Sequence, residues 1–204
     1  MRDIGRMGEN IFQFWCNSVG LTANGSKVDK RGWDCFVEFP NNSSGVIPRD
    51  LVPKPIECKV QVKSTDLKKK GEDIKLSNLE SLVKTQMPVF FCFIEFDGTN
   101  DPQAAYLVHV GKEVIERTLK RIRKLYSQGE GDRLNKHTMI IKYTDSDRLE
   151  QTTGENLKRT IEKYIPNTLE EYIAEKIGYW QHLVLKMVKG KLLFKFLATI
   201  LLVI

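Results

Sequence analysis

The run "PVFFCFIEF", Pro88 to Phe96, is apolar at almost every consecutive position. Side chains along a strand point alternately to opposite faces, so a run without polar alternation must be covered on both sides. It predicts a central strand. "DGTNDPQ" follows with turn chemistry, and "AAYLVHV" then reads as the strand that returns beside it.

Two further segments alternate instead. In "GWDCFVEF", Trp33, Cys35, Val37 and Phe39 interleave with Asp34, Phe36 and Glu38. In "IECKVQVKST", Ile56, Cys58, Val60 and Val62 interleave with Glu57, Lys59, Gln61 and Lys63. The irregular connection "PNNSSGVIPRDLVPKP" between them predicts an antiparallel pair. "TMIIKYT" reads as one more strand, and "STDLKKKGEDIK" as a polar connection.

Helices are expected around these strands. "IGRMGENIFQFWCNSVG" places Met7, Ile11, Phe14 and Trp15 on one arc, with Phe12 and Val19 beside it, and closes at Gly20. "SNLE", Ser77 to Glu80, is a capping box that predicts a short helix to about Lys84. "KEVIERTLKRIRKLYS" carries Ile115, Leu119, Ile122 and Tyr126 on one face. From about Asp147 the pattern is helical, with a second capping box, "TLEE", at Thr168 to Glu171. The expected architecture is α/β, a central mixed sheet flanked by helices over residues 1–147, with a helical extension over 148–204 that mediates dimerisation or leads into a further domain.

Bulk properties narrow the function classes. The formal charge of +6 favours a polyanionic partner. Four cysteines stand singly, without CxxC spacing, and no secretory signal opens the chain, so a reduced cytoplasmic setting is expected and a zinc site is not. The apolar stretch "LLFKFLATILLVI" is interrupted by Lys195 and shorter than the roughly 20 residues of a spanning helix. It reads as a buried or interface helix, with a membrane anchor and a chain cut short at Ile204 as the alternatives. No glycine-rich phosphate loop and no GxSxG elbow is present.

Chemistry converges on the paired strands. Glu57, Lys59, Gln61 and Lys63 share one face, which must meet solvent, ions or a ligand. Antiparallel pairing through the connecting loop brings Asp34 near Gln61 and Lys63, and Glu38 near Glu57 and Lys59. A divalent cation such as magnesium takes oxygen ligands and keeps several waters. The Asp34 carboxylate, the Gln61 side-chain oxygen and the Val62 carbonyl could supply those oxygens, with Lys63 orienting or deprotonating the attacking water and offsetting charge on the phosphate.

At these residues the sequence resembles the PD-(D/E)xK nuclease superfamily, the restriction-endonuclease-like fold, in a small bacterial variant with Gln in place of the usual acid. The matching elements are Glu9 in "GENIF", Asp34 in "GWD", and Gln61 with Lys63 in "QVKST", over roughly residues 5 to 110. The resemblance implies Mg2+ (or Mn2+) held by Asp34, Gln61, Val62 and Glu9, and a catalytic role for Lys63 with Asp34 and Gln61. It implies cleavage of DNA, with RNA as a further possibility, by paired sites in a homodimer; some such nucleases serve in phage defence. No Pro precedes Asp34, and the core acid is replaced by Gln61.

Other readings remain open on the sequence. "ECK", Glu57 to Lys59, is a second frame of the motif, with Glu38 in the role of Asp34. The polar row also fits a solvated sheet face with cross-strand ion pairs. Asp29 in "VDKRG" is an alternative acid, though its setting reads as a turn. Lys68, Lys69 and Lys70, and Arg121 and Lys124 on the cationic side of their helix, are candidate phosphate contacts or simply solvated charges. His109, His137 and His182 read as structural. The competing classes are a nucleic-acid-binding module that keeps the fold without the reaction, and a membrane-associated interaction protein that uses the apolar tail.

Overall fold

The computed structural model describes residues 2–26, 32–41 and 48–188. The chain is mixed α/β. Its elements run α1 (Ile4–Ser18), β1 (Thr22–Gly25), β2 (Cys35–Glu38), β3 (Glu57–Thr65), β4 (Gly71–Lys75), α2 (Leu76–Lys84), β5 (Val89–Glu95) and β6 (Ala104–His109). There follow α3 (Lys112–Ser127), β7 (Thr138–Lys142), α4 (Gly154–Lys163) and α5 (Leu169–Val188).

β5 is buried at every residue, as its unbroken apolar run requires, and lies between β3 and β6. The five-stranded sheet has the order β1-β2-β3-β5-β6; the β3–β5 pair is parallel and the others antiparallel. Alternation divides β5 between two cores. Phe91 and Phe93 face a cluster with α2, α3 and the small β4–β7 sheet. Phe90, Cys92 and Ile94 face the opposite cluster, built with α1 and α4.

The first helix corrects its sequence reading. Gly8, Phe12, Trp15 and Cys16 form its buried stripe, whereas Phe14 is 67% exposed. Gly8 is there because of space: a Cβ on it would come within 1.7 Å of Ser64 Oγ, so the helix backbone rests directly on β3. The "SNLE" box is not realised either, since the cap of α2 is Lys75, two residues before Ser77, without a side-chain hydrogen bond. At α5 Thr168 Oγ1 does accept from the Glu171 N–H, at 3.2 Å. Tyr126, assigned to the apolar face of α3, is exposed; Leu125 takes the buried place.

β1 and β4 were not legible as strands, and β7 joins β4 rather than the main sheet. α4 and α5 rest on the same cores as the preceding elements. Leu157 and Ile161 join the α1 side, and Leu183 the α2–α3 side. Among the described residues no helix is long and apolar enough to cross a membrane. The apolar tail lies outside the described residues, as does Asp29.

Candidate active site

The β2–β3 register brings the motif residues together as the sequence reading expects. Cys35 pairs with Val60, Phe36 with Lys59, and Glu38 with Glu57. β3 has nine residues against four in β2, so its last part runs on beyond its neighbour. Asp34 stands at that step. Its N–H donates to the Val60 carbonyl at 2.9 Å, and its carboxylate Oδ2 accepts the Val62 N–H at 2.7 Å. The two bonds bracket Gln61.

Backbone alternation adds a consequence. Lys59 N–H donates to Pro88 on the β5 side, and the Thr65 carbonyl accepts from Phe96 on that same side. Odd residues of β3 therefore bond towards β5 and even ones towards β2. Val62 directs both N–H and C=O to the β2 side, past the end of β2, beside the Asp34 carboxylate. A carboxylate and a backbone carbonyl thus share the step in the sheet.

Gln61 points to the α2–α3 side of the sheet, opposite to Val60 and Val62. It is 2% exposed, and its Oε1 is buried without a hydrogen-bond donor among the described residues. Such an oxygen costs on the order of 1–3 kcal/mol unless a partner is supplied. A divalent cation is one partner that would satisfy it, and amide, carboxylate and carbonyl oxygens are the donor set magnesium accepts. The residues present fit the ion. Among the described residues no three His, Cys, Asp or Glu side chains gather as a metal cluster, so the fit rests on one carboxylate, the amide oxygen and main chain.

Lys63 lies on the face of Gln61, beside Phe93, and forms no ion pair among the described residues. Glu9 is exposed, two turns before buried Cys16 on the stripe of α1 that faces the sheet. Its charge reaches the neighbourhood of Asp34. Burial chiefly pushes the Cys35 thiol up to about 11, and the charges of Asp34 and Glu9 push it the same way against a hydrogen bond from Gln13. Gly8, packed on Ser64 and Val62, is what sets α1 at that distance.

The approach to Asp34 is fixed by two features that the motif alone did not reveal. Gly32 has φ +74°, and a Cβ there would lie 2.5 Å from the Asn78 Cβ on α2, so a side chain is excluded by both conformation and space. Trp33 packs against the α2–α3 core, with Lys59 Nζ 5.3 Å from its ring centroid. Lys59 is thereby drawn to Trp33. Glu38 accepts from Asn24 Nδ2 at 2.7 Å and stands opposite Glu57, two like charges side by side.

The candidate phosphate contacts divide. Lys68, Lys69 and Lys70 are each ion-paired, with Asp97, Glu72 and Asp145 at 3.1, 3.0 and 3.3 Å. Arg121 and Lys124, on α3, form no ion pair among the described residues. A second acid was missed: Glu95, 6% exposed at the end of β5, accepts from the Tyr143 hydroxyl at 2.9 Å and lies beside Thr65. The polar end of "CFIEF" was its only trace in the sequence. No family model, curated protein or solved structure matches the chain.

Proposed function

We propose that the chain is a magnesium-dependent nuclease of the restriction-endonuclease-like fold, hydrolysing phosphodiester bonds of DNA. The observation that carries this reading is the Asp34 carboxylate bound to Val62 N–H beside the unpartnered buried oxygen of Gln61. The five-stranded mixed sheet, with the acid at the entrance of one strand and Gln-x-Lys on its antiparallel neighbour, supports it.

Asp34, Gln61 and the Val62 carbonyl would hold the ion, with Glu9 approaching the step from α1, across the sheet from Gln61, directly or through water. When bound, the ion lowers the pKa of a coordinated water and offsets charge on the phosphate. The protein's own part is positional and electrostatic. The Val62 N–H fixes one Asp34 oxygen at the step in the sheet. Lys63 places an ammonium beside the attacked phosphate, where it orients the water and neutralises the charge that develops on phosphate oxygen. Arg121 and Lys124 offer phosphate contacts. The exposed pairs of Lys68 to Lys70 would open readily to a phosphate backbone. Cleavage of both strands of a duplex calls for two such sites and hence a homodimer.

The test is a cleavage assay on linear and supercoiled DNA with Mg2+ or Mn2+, for the parent and for Asp34→Ala and Lys63→Ala. Loss of at least about a hundredfold in both variants is expected, in line with removal of a preorganised charge. Undiminished cleavage in both removes the assignment. Salt-dependent DNA binding without cleavage under any divalent ion leaves a binding module of the same fold.

A further inference from the structure

Away from this site, on the α1–α4 side of the sheet, a cavity of about 400 Å³ opens between β6, the segment from Ser146 to Glu150, and α4. A backbone bridge between Arg148 and Tyr106 pins that segment to the sheet. The cavity is of the size that holds a small organic ligand. Tyr164 gives it an aromatic wall, and Leu107 lies fully buried behind the lining. The Tyr164 ring is fixed in turn by Phe90 and His109, at centroid distances of 5.6 and 4.7 Å.

Its charges are unevenly committed. Asp147 accepts from the Thr144 N–H and hydroxyl at 2.8 and 2.9 Å, and Glu150 is paired with Arg159 at 3.8 Å. Arg148 and Lys163, which also line the cavity, form no ion pair among the described residues. Asp147 is held within the protein and Glu150 leans out to Arg159, while the guanidinium and the ammonium line the cavity. Asn156, buried in the floor, is held by Thr153 and Arg159 and does not compete for them.

We propose that this cavity binds a free nucleotide, its phosphate on Arg148 and Lys163 and its base against Tyr164. Guanidinium and ammonium groups recognise phosphate oxygens, and an aromatic ring suits the face of a base.

Isothermal titration of the full chain with AMP, adenosine, inorganic phosphate and a 5′-phosphorylated oligonucleotide tests this. AMP is expected to bind, with adenosine and the Arg148→Gln/Lys163→Gln variant weaker by at least about tenfold. Should the double variant unfold, Lys163→Glu alone, on an exposed residue, carries the same expectation. Asp34→Ala is expected to bind AMP unchanged, which separates this site from the nuclease reading. No AMP binding, binding of the oligonucleotide alone, undiminished affinity in the charge variants, or loss of binding in Asp34→Ala would each overturn the proposal.

Discussion

In the proposed nuclease site, Gln61 would set stability against function within one side chain. Its Oε1 is buried without a donor, so Gln61→Leu is expected to leave the unfolding midpoint unchanged or raise it while abolishing metal-dependent cleavage. A large loss of stability would show instead that the amide is held by partners in the fold. Asp34 behaves in the opposite way. Asp34→Ala strands the Val62 N–H and should cost about 1–3 kcal/mol in urea unfolding. Asp34→Asn keeps an acceptor for that N–H and should recover most of the stability without recovering activity. His109 supplies a residue-scale pH effect. Burial, aided by the Lys176 charge, lowers its pKa from 6.5 to about 4. Between those values the unfolded chain binds the proton and the folded one does not, so stability falls as the pH drops from about 6.5 towards 4. Melting curves across that window should flatten in His109→Gln, and parallel curves for parent and variant would refute the assignment.

At the scale of elements, the close packing of α1 on β3 controls where Glu9 stands. Gly8→Ala gains about 1 kcal/mol of helix propensity but drives a methyl into Ser64, so a net loss of about 1–2 kcal/mol is expected from chemical denaturation. Nuclease activity should fall with it, because α1 must lift from the strand. Unchanged stability would mean that the helix is not seated there. The elements that define the site were legible because their patterns are strong. β5 has no polar alternation, while β2 and β3 have little else, and the face that Gln61 and Lys63 share follows from period two alone; Asp34 precedes β2, between Trp33 on the α2–α3 side and Cys35 on the α1 side. β4 was hidden because "GEDIK" has one buried residue, Ile74, and takes its strand form from pairing with β7. The buried face of α1 was displaced because Phe14 is apolar yet 67% exposed among the described residues. Gly8 was the cue: a glycine inside an amphipathic helix marks a close backbone approach. The role of Asp34 as partner of the Val62 N–H depends on where β2 ends, which pattern reading does not fix.

For the molecule as a whole, the described part of the C-terminal helices belongs to the two cores. Leu149, Leu157, Ile161 and Ile165 complete the α1 side and Leu183 the other. A chain ending at Asp147 is therefore expected to lose cooperative unfolding and near-ultraviolet dichroism, whereas a sharp native transition would show that residues 1–147 fold alone. The central claim is that a cation joins α1, β2 and β3 at the step in the sheet. It is tested most directly by anomalous diffraction from crystals soaked in Mn2+. The account predicts a peak within roughly 2.0–2.3 Å of Asp34 and Gln61 oxygens, next to the Val62 carbonyl. A peak between Glu38 and Glu57 instead, or none at the Asp34 step in crystals that cleave DNA, would contradict it.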